Sequence, residues 1–212
     1  MSYEILKPFG PPIYKTTISD EFLALLKTVS KQTRETQNNV GKTLVGNLQK
    51  QYSMIVNDEQ GQQFMEEIKE HVFNAVYEFE KKYNHSGEEY LVKDKFRFNL
   101  GPGAWINYQQ PGEFNPIHNH TGKLSAVIYI DVPECIAEEN AVMADTSGSP
   151  SAGKIHWVYG SMDYATDYNY AHQPVTGELF IFPAGLPHIV YPFKSDVERI
   201  SMSFNVYDLS TG

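Results

Sequence analysis

The stretch "NPIHNHTGKLSAVIYI" sets His118 and His120 one residue apart, just ahead of a β-forming run. In extended chain, residues i and i+2 point to the same side, so both imidazoles face one way while Ile117 and Asn119 face the other. Two neutral nitrogens converging on one point suit a divalent transition metal. Taken alone, the spacing fits two solvated strand histidines better than a metal site.

A second group of reactive side chains lies downstream, in "GELFIFPAGLPHIVYPFKSDVERISMSFNV". This stretch reads as a hairpin with its turn near "KSD", His188 on the first strand and Arg199 opening the second. Alternation puts Arg199, Ser201, Ser203 and Asn205 on one face and Ile200, Met202, Phe204 and Val206 on the other. An arginine grips a carboxylate through two parallel hydrogen bonds, and a serine hydroxyl adds a third. The competing interpretation is a solvated edge strand.

The elements that must position these groups divide the chain in two. "ISDEFLALLKTVSKQ" reads as a helix with Ser19 as N-cap, Asp20 and Glu21 in its first turn, and Phe22, Leu25, Leu26 and Val29 on one face. "GQQFMEEIKEHVFNAVYEFEKKY" reads as a longer helix with a core-facing stripe from Phe64 to Tyr83. From about Phe96 the period becomes alternating. "KFRFNLG", "GAWINYQQ", "KLSAVIYIDVP", "KIHWVYG", "GELFIFPA", "PHIVYPF" and "RISMSFNVYD" are expected strands, punctuated by Pro and Gly. The fold expected is α+β, mainly β: a sandwich or jelly roll with helices packed on one face. A single domain over 1–212 is expected, its helical part at 1–94 and its β core at 95–208. Residues 137–153 are expected to form a flexible insertion, and "YGSMDYATDYNYAHQP" a second long loop.

Composition narrows the function classes. The net charge of −9 argues against nucleic-acid binding, which needs clustered Lys and Arg. One cysteine, Cys135, excludes a disulfide framework and a cysteine-based zinc site; it is expected to be a small buried filler. The first residues carry neither the charge nor the apolar run of a signal peptide, and no run is long enough to span a membrane, so a cytoplasmic setting is expected. His71 and His85 look ordinary, and His156 and His172 are expected to be solvated loop histidines. Trp105 is expected in the core.

Ordered along the chain, Trp105-Ile106-Asn107, His118-Asn119-His120, Ser125 to Tyr129, Phe182 to His188 and Arg199 to Asn205 form a set. The set resembles the double-stranded β-helix (cupin-like jelly roll) oxygenases that use Fe(II) and 2-oxoglutarate, in the branch found in phages and bacteria. The resemblance covers roughly Trp105 to Val206. It implies oxidative decarboxylation of 2-oxoglutarate to succinate, with O2 consumed and a peptidyl or small-molecule substrate hydroxylated, in a bacterial or phage-infected cell. It also implies iron ligation by His118 and His188, and binding of the co-substrate's far carboxylate by Arg199 with Ser201. Asn107, Ser125, Tyr129 and Asn205 are weaker candidates for co-substrate contacts.

The sequence departs from the superfamily pattern at His120, which stands where Asp or Glu is usual. Three outcomes follow: His120 ligates, a nearby carboxylate such as Glu113 or Asp131 completes the set, or the position is vacated. Direct ligation by His120 is favoured, because strand geometry already aims it at the metal. Two rivals remain at this stage. One is a cupin-type three-histidine enzyme without 2-oxoglutarate; the other is a non-catalytic β-sandwich binding module. A dimer is possible, and the substrate is not legible.

Overall fold

The computed structural model describes residues 2–6, 10–81, 92–161 and 167–210. The alternation read in "RISMSFNV" governs its centre. Strand β11 (Arg199–Ser210) lies between β4 (Arg97–Gln109) and β6 (Leu124–Asp131), antiparallel to both. One face of β11 sends Met202, Phe204 and Val206 into the main apolar core, and the other sends Arg199, Ser201, Ser203 and Asn205 into a cavity. The large sheet runs β1-β2-β9-β6-β11-β4-β3, adding β1 (Tyr3–Leu6), β2 (Ile13–Thr17), β3 (Gln51–Ser53) and β9 (Glu178–Pro183). A small sheet runs β5-β10-β7-β8, from β5 (Asn115–His118), β7 (Ile155–Val158), β8 (Asn169–His172) and β10 (His188–Val190). Trp157, Phe180, Phe182 and Tyr129 form a second core that joins the two sheets into a jelly roll.

Both expected helices are present. In α1 (Asp20–Thr36) the Ser19 side chain accepts from the Phe22 N–H at 3.1 Å, which fixes its start. Helix α2 (Asp58–Lys81) begins three residues before the expected Gly61, because Asn57 and Gln60 close a reciprocal cap. The Asn57 N–H donates to Gln60 Oε1 at 3.1 Å, and the Gln60 N–H donates to Asn57 Oδ1 at 2.9 Å. The helices cover one face of the large sheet. Phe64 of α2 meets Phe22 of α1 at 6.0 Å and Phe204 of β11 edge-on at 6.1 Å.

Several expectations are corrected. "KFRFNLG" and "GAWINYQQ" are one 13-residue strand, not two. Its glycines bend the ladder instead of ending it. The pairing with β11 shifts register beyond Phe204, and a Cβ on Gly101 would lie 1.9 Å from the Tyr207 ring. The hairpin expected around "KSD" does not form. β9 stays in the large sheet, the chain crosses at Ala184–Pro187 to place β10 in the small sheet, and β11 returns with β6 between it and β9. Alternation shows which face a residue takes but not which strand pairs with which.

The expected flexible insertion at 137–153 contains most of helix α3 (Cys135–Met143). Cys135 opens this helix half-buried, and its neighbour Ile136 is the residue that fills the core. The tyrosine-rich segment contributes β8, and its residues 162–166 lie outside the described residues, as does His85. The segment expected to be helical also supplies β1, β2 and β3, three of the seven large-sheet strands.

Candidate metal and co-substrate site

Pairing of β5 with β10 sets His118 directly opposite His188. Two residues past His118, the His120 N–H donates to the Ala184 carbonyl at 2.9 Å, which ties His120 to the residue that follows β9. The three rings converge: His118–His188 centroids are 4.3 Å apart, His118–His120 5.0 Å and His120–His188 5.2 Å. One nitrogen from each ring lies within 4.8 Å of the others, the spacing of a common ligand point.

The tautomers are set locally. His118 Nδ1 lies 2.6 Å from the Pro116 carbonyl and His188 Nδ1 3.1 Å from the Leu186 carbonyl. A carbonyl only accepts, so each Nδ1 carries the proton and each Nε2 keeps its lone pair. Burial pushes the pKa of His188 down to about 3 and that of His120 down to about 4, with the neighbouring His118 adding to both shifts. Burial lowers His118 as well, against the Pro116 hydrogen bond. All three are therefore neutral donors at neutral pH.

The same cavity, of about 420 Å³, is also lined by Arg199. Arg199 is 2% exposed. Its guanidinium donates to the Gly153 carbonyl and to Gln109 Oε1, while Nε has no partner. It lies 5.7 Å from the Tyr129 ring and 5.9 Å from that of Phe193. No carboxylate pairs with it among the described residues. Burial lowers its pKa, yet an arginine stays charged, so the cavity holds an uncompensated cation.

All nine candidate residues line this one cavity: the three histidines, Arg199, Ser201, Asn107, Ser125, Tyr129 and Asn205. Cross-strand register explains why, since Asn107, Ser201 and Tyr129 stand side by side on β4, β11 and β6, as do Asn205 and Ser125 on β11 and β6. Asn107 donates to Ser203 Oγ at 3.3 Å, and Asn205 Oδ1 has no partner.

The two carboxylates weighed as alternatives stand apart from the histidines. Glu113 accepts from the Gln49 N–H at 3.0 Å and the Gln110 N–H at 2.9 Å, which uses both its oxygens. Asp131 is exposed at the far end of β6. Trp105 is buried, as expected of a core residue, and also lines the cavity, 6.2 Å from the His120 ring. His172 is on β8, not in a solvated loop, and its Nε2 meets Glu178 at 2.8 Å. His156 is on β7 against Tyr191, its Nε2 buried without a partner, and His71 is buried with Nδ1 3.0 Å from the Tyr14 hydroxyl. Sequence reasoning missed Gln109, which holds Arg199. It is the cross-strand partner of Arg199, a relation that only the β4–β11 register reveals.

Residues 103–205 match the model of a family described as "Putative 2OG-Fe(II) oxygenase". Over these residues the chain is similar to that family. The description of that family names Fe(II) and 2-oxoglutarate, and three histidines in this cavity could hold a metal ion. No curated protein matches the sequence. Among solved structures, a Pseudomonas putida prolyl-4-hydroxylase is similar at 15% identity and TM-score 0.56, over 92% of each chain. A Trichoplax adhaerens prolyl hydroxylase, in complex with a hypoxia inducible factor peptide fragment, is similar at 13% identity and TM-score 0.53, over 97% of this chain and 83% of that one. HygX from Streptomyces hygroscopicus, with nickel and 2-oxoglutarate bound, gives 8% identity and TM-score 0.52, over 92% and 81%. At these identities the three establish the fold, a double-stranded β-helix with added helices.

Proposed function

We propose that His118, His120 and His188 hold the iron, that Arg199 with Ser201 receives the far carboxylate of 2-oxoglutarate, and that the coupled oxidation hydroxylates a peptide or small molecule. The observation that carries this reading is three neutral imidazoles and one uncompensated buried guanidinium opening into one cavity. Iron and 2-oxoglutarate supply the oxidising chemistry, the co-substrate losing CO2 to become succinate as O2 is consumed.

The chain's own residues bind, orient and exclude water. The Pro116 and Leu186 carbonyls fix two of the rings with Nε2 free. Gln109 and Gly153 hold the guanidinium plane, so its remaining N–H groups are pre-aimed for a planar carboxylate. Asn107, Ser125, Tyr129 and Asn205 complete the polar lining around the co-substrate. Phe182, 4.9 Å from the His188 ring, together with Ala126 and Val127, forms a dry wall. Three neutral ligands would leave the ion's charge intact, and a dianionic co-substrate would offset most, though not all, of the positive charge that the ion and Arg199 supply together. No helix among the described residues is long and apolar enough to cross a membrane. A single domain acting in the cytoplasm completes the proposal.

The test is an anaerobic titration of the metal-free protein with Fe(II) and then 2-oxoglutarate. Binding of one iron, followed by the weak visible charge-transfer band of the chelate, is expected. His120→Ala lowers iron affinity by roughly tenfold or more, the scale on which even outer-shell partners of metal ligands act. Undiminished iron binding by that variant removes His120 from the ligand set. Iron uptake without the band refutes the role given to Arg199.

A further inference from the structure

Arg199 has no carboxylate among the described residues to fix its direction, so the aim of its guanidinium rests on two neutral acceptors. One is Gln109 Oε1, whose side chain is itself held because Nε2 donates to the Glu113 carbonyl. The other is the Gly153 carbonyl, in the chain between α3 and β7. That carbonyl lies outside any helix or strand, so its direction depends on what grips its own segment.

Helix α3 grips it. The Asn140 carboxamide binds both backbone polar groups of Ala152: Nδ2 donates to the Ala152 carbonyl at 2.9 Å, and Oδ1 accepts from the Ala152 N–H at 2.8 Å. Nδ2 also donates to Gln173 Oε1 at 2.7 Å. The orientation of the carboxamide is fixed, because a backbone carbonyl only accepts and a backbone N–H only donates. Ile136, one turn earlier on the same face of α3, packs against the next residue. Gly153 has φ +65°, and a Cβ on it would lie 2.4 Å from Ile136 Cγ2, so only glycine lets the chain lie this close to the helix.

The same helix holds the other segment beside Arg199. Glu139 accepts from the Lys194 N–H at 2.9 Å and the Ser195 N–H at 2.6 Å, next to Phe193, whose ring lies 5.9 Å from the guanidinium. The Gly153 N–H donates to the Pro192 carbonyl at 3.0 Å, which joins the two segments. No residue of α3 is among those that line the cavity. Any effect of Asn140 on a ligand there therefore passes through Arg199.

We propose that Asn140 is a positioning residue for the co-substrate. By holding Ala152 it aims the Gly153 carbonyl, and through that carbonyl the guanidinium, so that α3 sets the preference for a dicarboxylate over a monocarboxylate 2-oxo acid. Two parallel hydrogen bonds to a carboxylate tolerate little rotation of the guanidinium plane, and a plane freed from one acceptor turns. This rests on the assignment of Arg199 to the far carboxylate given above.

Calorimetric titration of the nickel-loaded protein tests it, nickel preventing turnover. The probes are 2-oxoglutarate and 2-oxopentanoate, which has the same carbon chain and 2-oxo acid end but no far carboxylate. Asn140→Leu, nearly isosteric and unable to hydrogen-bond, is expected to weaken 2-oxoglutarate about tenfold while 2-oxopentanoate and nickel stay within about twofold. Asn140→Ala is expected to do the same. In an Arg199→Met background, Asn140→Leu is expected to cause no further loss, because the residue it acts through is gone. Unchanged selectivity in both Asn140 variants, equal weakening of the two acids, or additive losses in the double variant overturns the proposal. The unaltered protein and Arg199→Met isolate the assignment beneath it. If the former shows no preference for 2-oxoglutarate, or the latter keeps that preference, the role given to Arg199 fails as well.

Discussion

Replacing Arg199 with Met tests the co-substrate assignment most directly. The guanidinium is buried, held by Gly153 and Gln109, and faces no carboxylate among the described residues. A carboxylate received there makes two charge-assisted bonds, each contributing about 1.5–3 kcal/mol. Their loss raises the 2-oxoglutarate Kd by about two orders of magnitude or more. Thermal stability reads this out through mass action. At 2-oxoglutarate concentrations about 100 times Kd, the ligand stabilises the folded state by about 2.7 kcal/mol. For a chain of this length that raises Tm by roughly 5–11 °C. At the same concentration a variant with a hundredfold weaker Kd gains only about 0.4 kcal/mol, or roughly 1 °C.

Absolute Tm is a poor readout, because two effects oppose each other in the ligand-free variant. Removing a buried, unpaired charge stabilises, whereas leaving the Gly153 carbonyl and Gln109 Oε1 without their donor destabilises. The ligand-induced shift, measured by scanning fluorimetry of nickel-loaded protein with and without 2-oxoglutarate, cancels both. Arg199→Met should lose the shift while keeping its nickel affinity. A full shift retained in Arg199→Met would refute the reasoning.

Two further outcomes follow from the packing. Burial holds the pKa of His71 down at about 4, so the folded protein resists a proton that the unfolded chain takes up near its ordinary value of 6.5. The stability His71 supports is fully present above pH 6.5 and is lost as pH falls from 6.5 toward 4. His71→Gln should therefore reduce the slope of urea-derived stability across that window, and an unchanged slope would count against the burial of His71 as a source of it. Phe204 is fully buried against Phe64, so Phe204→Ala should cost about 3–5 kcal/mol in chemical denaturation. Ser203→Ala, one residue away on the cavity face, should cost about 1 kcal/mol.

The sequence alone determined the properties that depend on nearest neighbours along the chain. Ser19 caps α1 because a hydroxyl there reaches an orphan N–H within one turn. Alternation along "RISMSFNV" assigned Arg199, Ser201, Ser203 and Asn205 to the polar face, and that face lines the cavity. The same parity pairs Ser125 with Tyr129 on the cavity side of β6.

Tertiary structure decided the rest, because strand pairing is non-local and hydrogen-bond donors do not encode their partners. The crossing at Ala184–Pro187 moved β10 into the small sheet, and only that crossing sets His188 opposite His118. Gln109 became the holder of Arg199 through register with a strand far away in sequence. Burial chose among the carboxylates, drawing Glu113 to the N–H groups of Gln49 and Gln110 and leaving three histidines together.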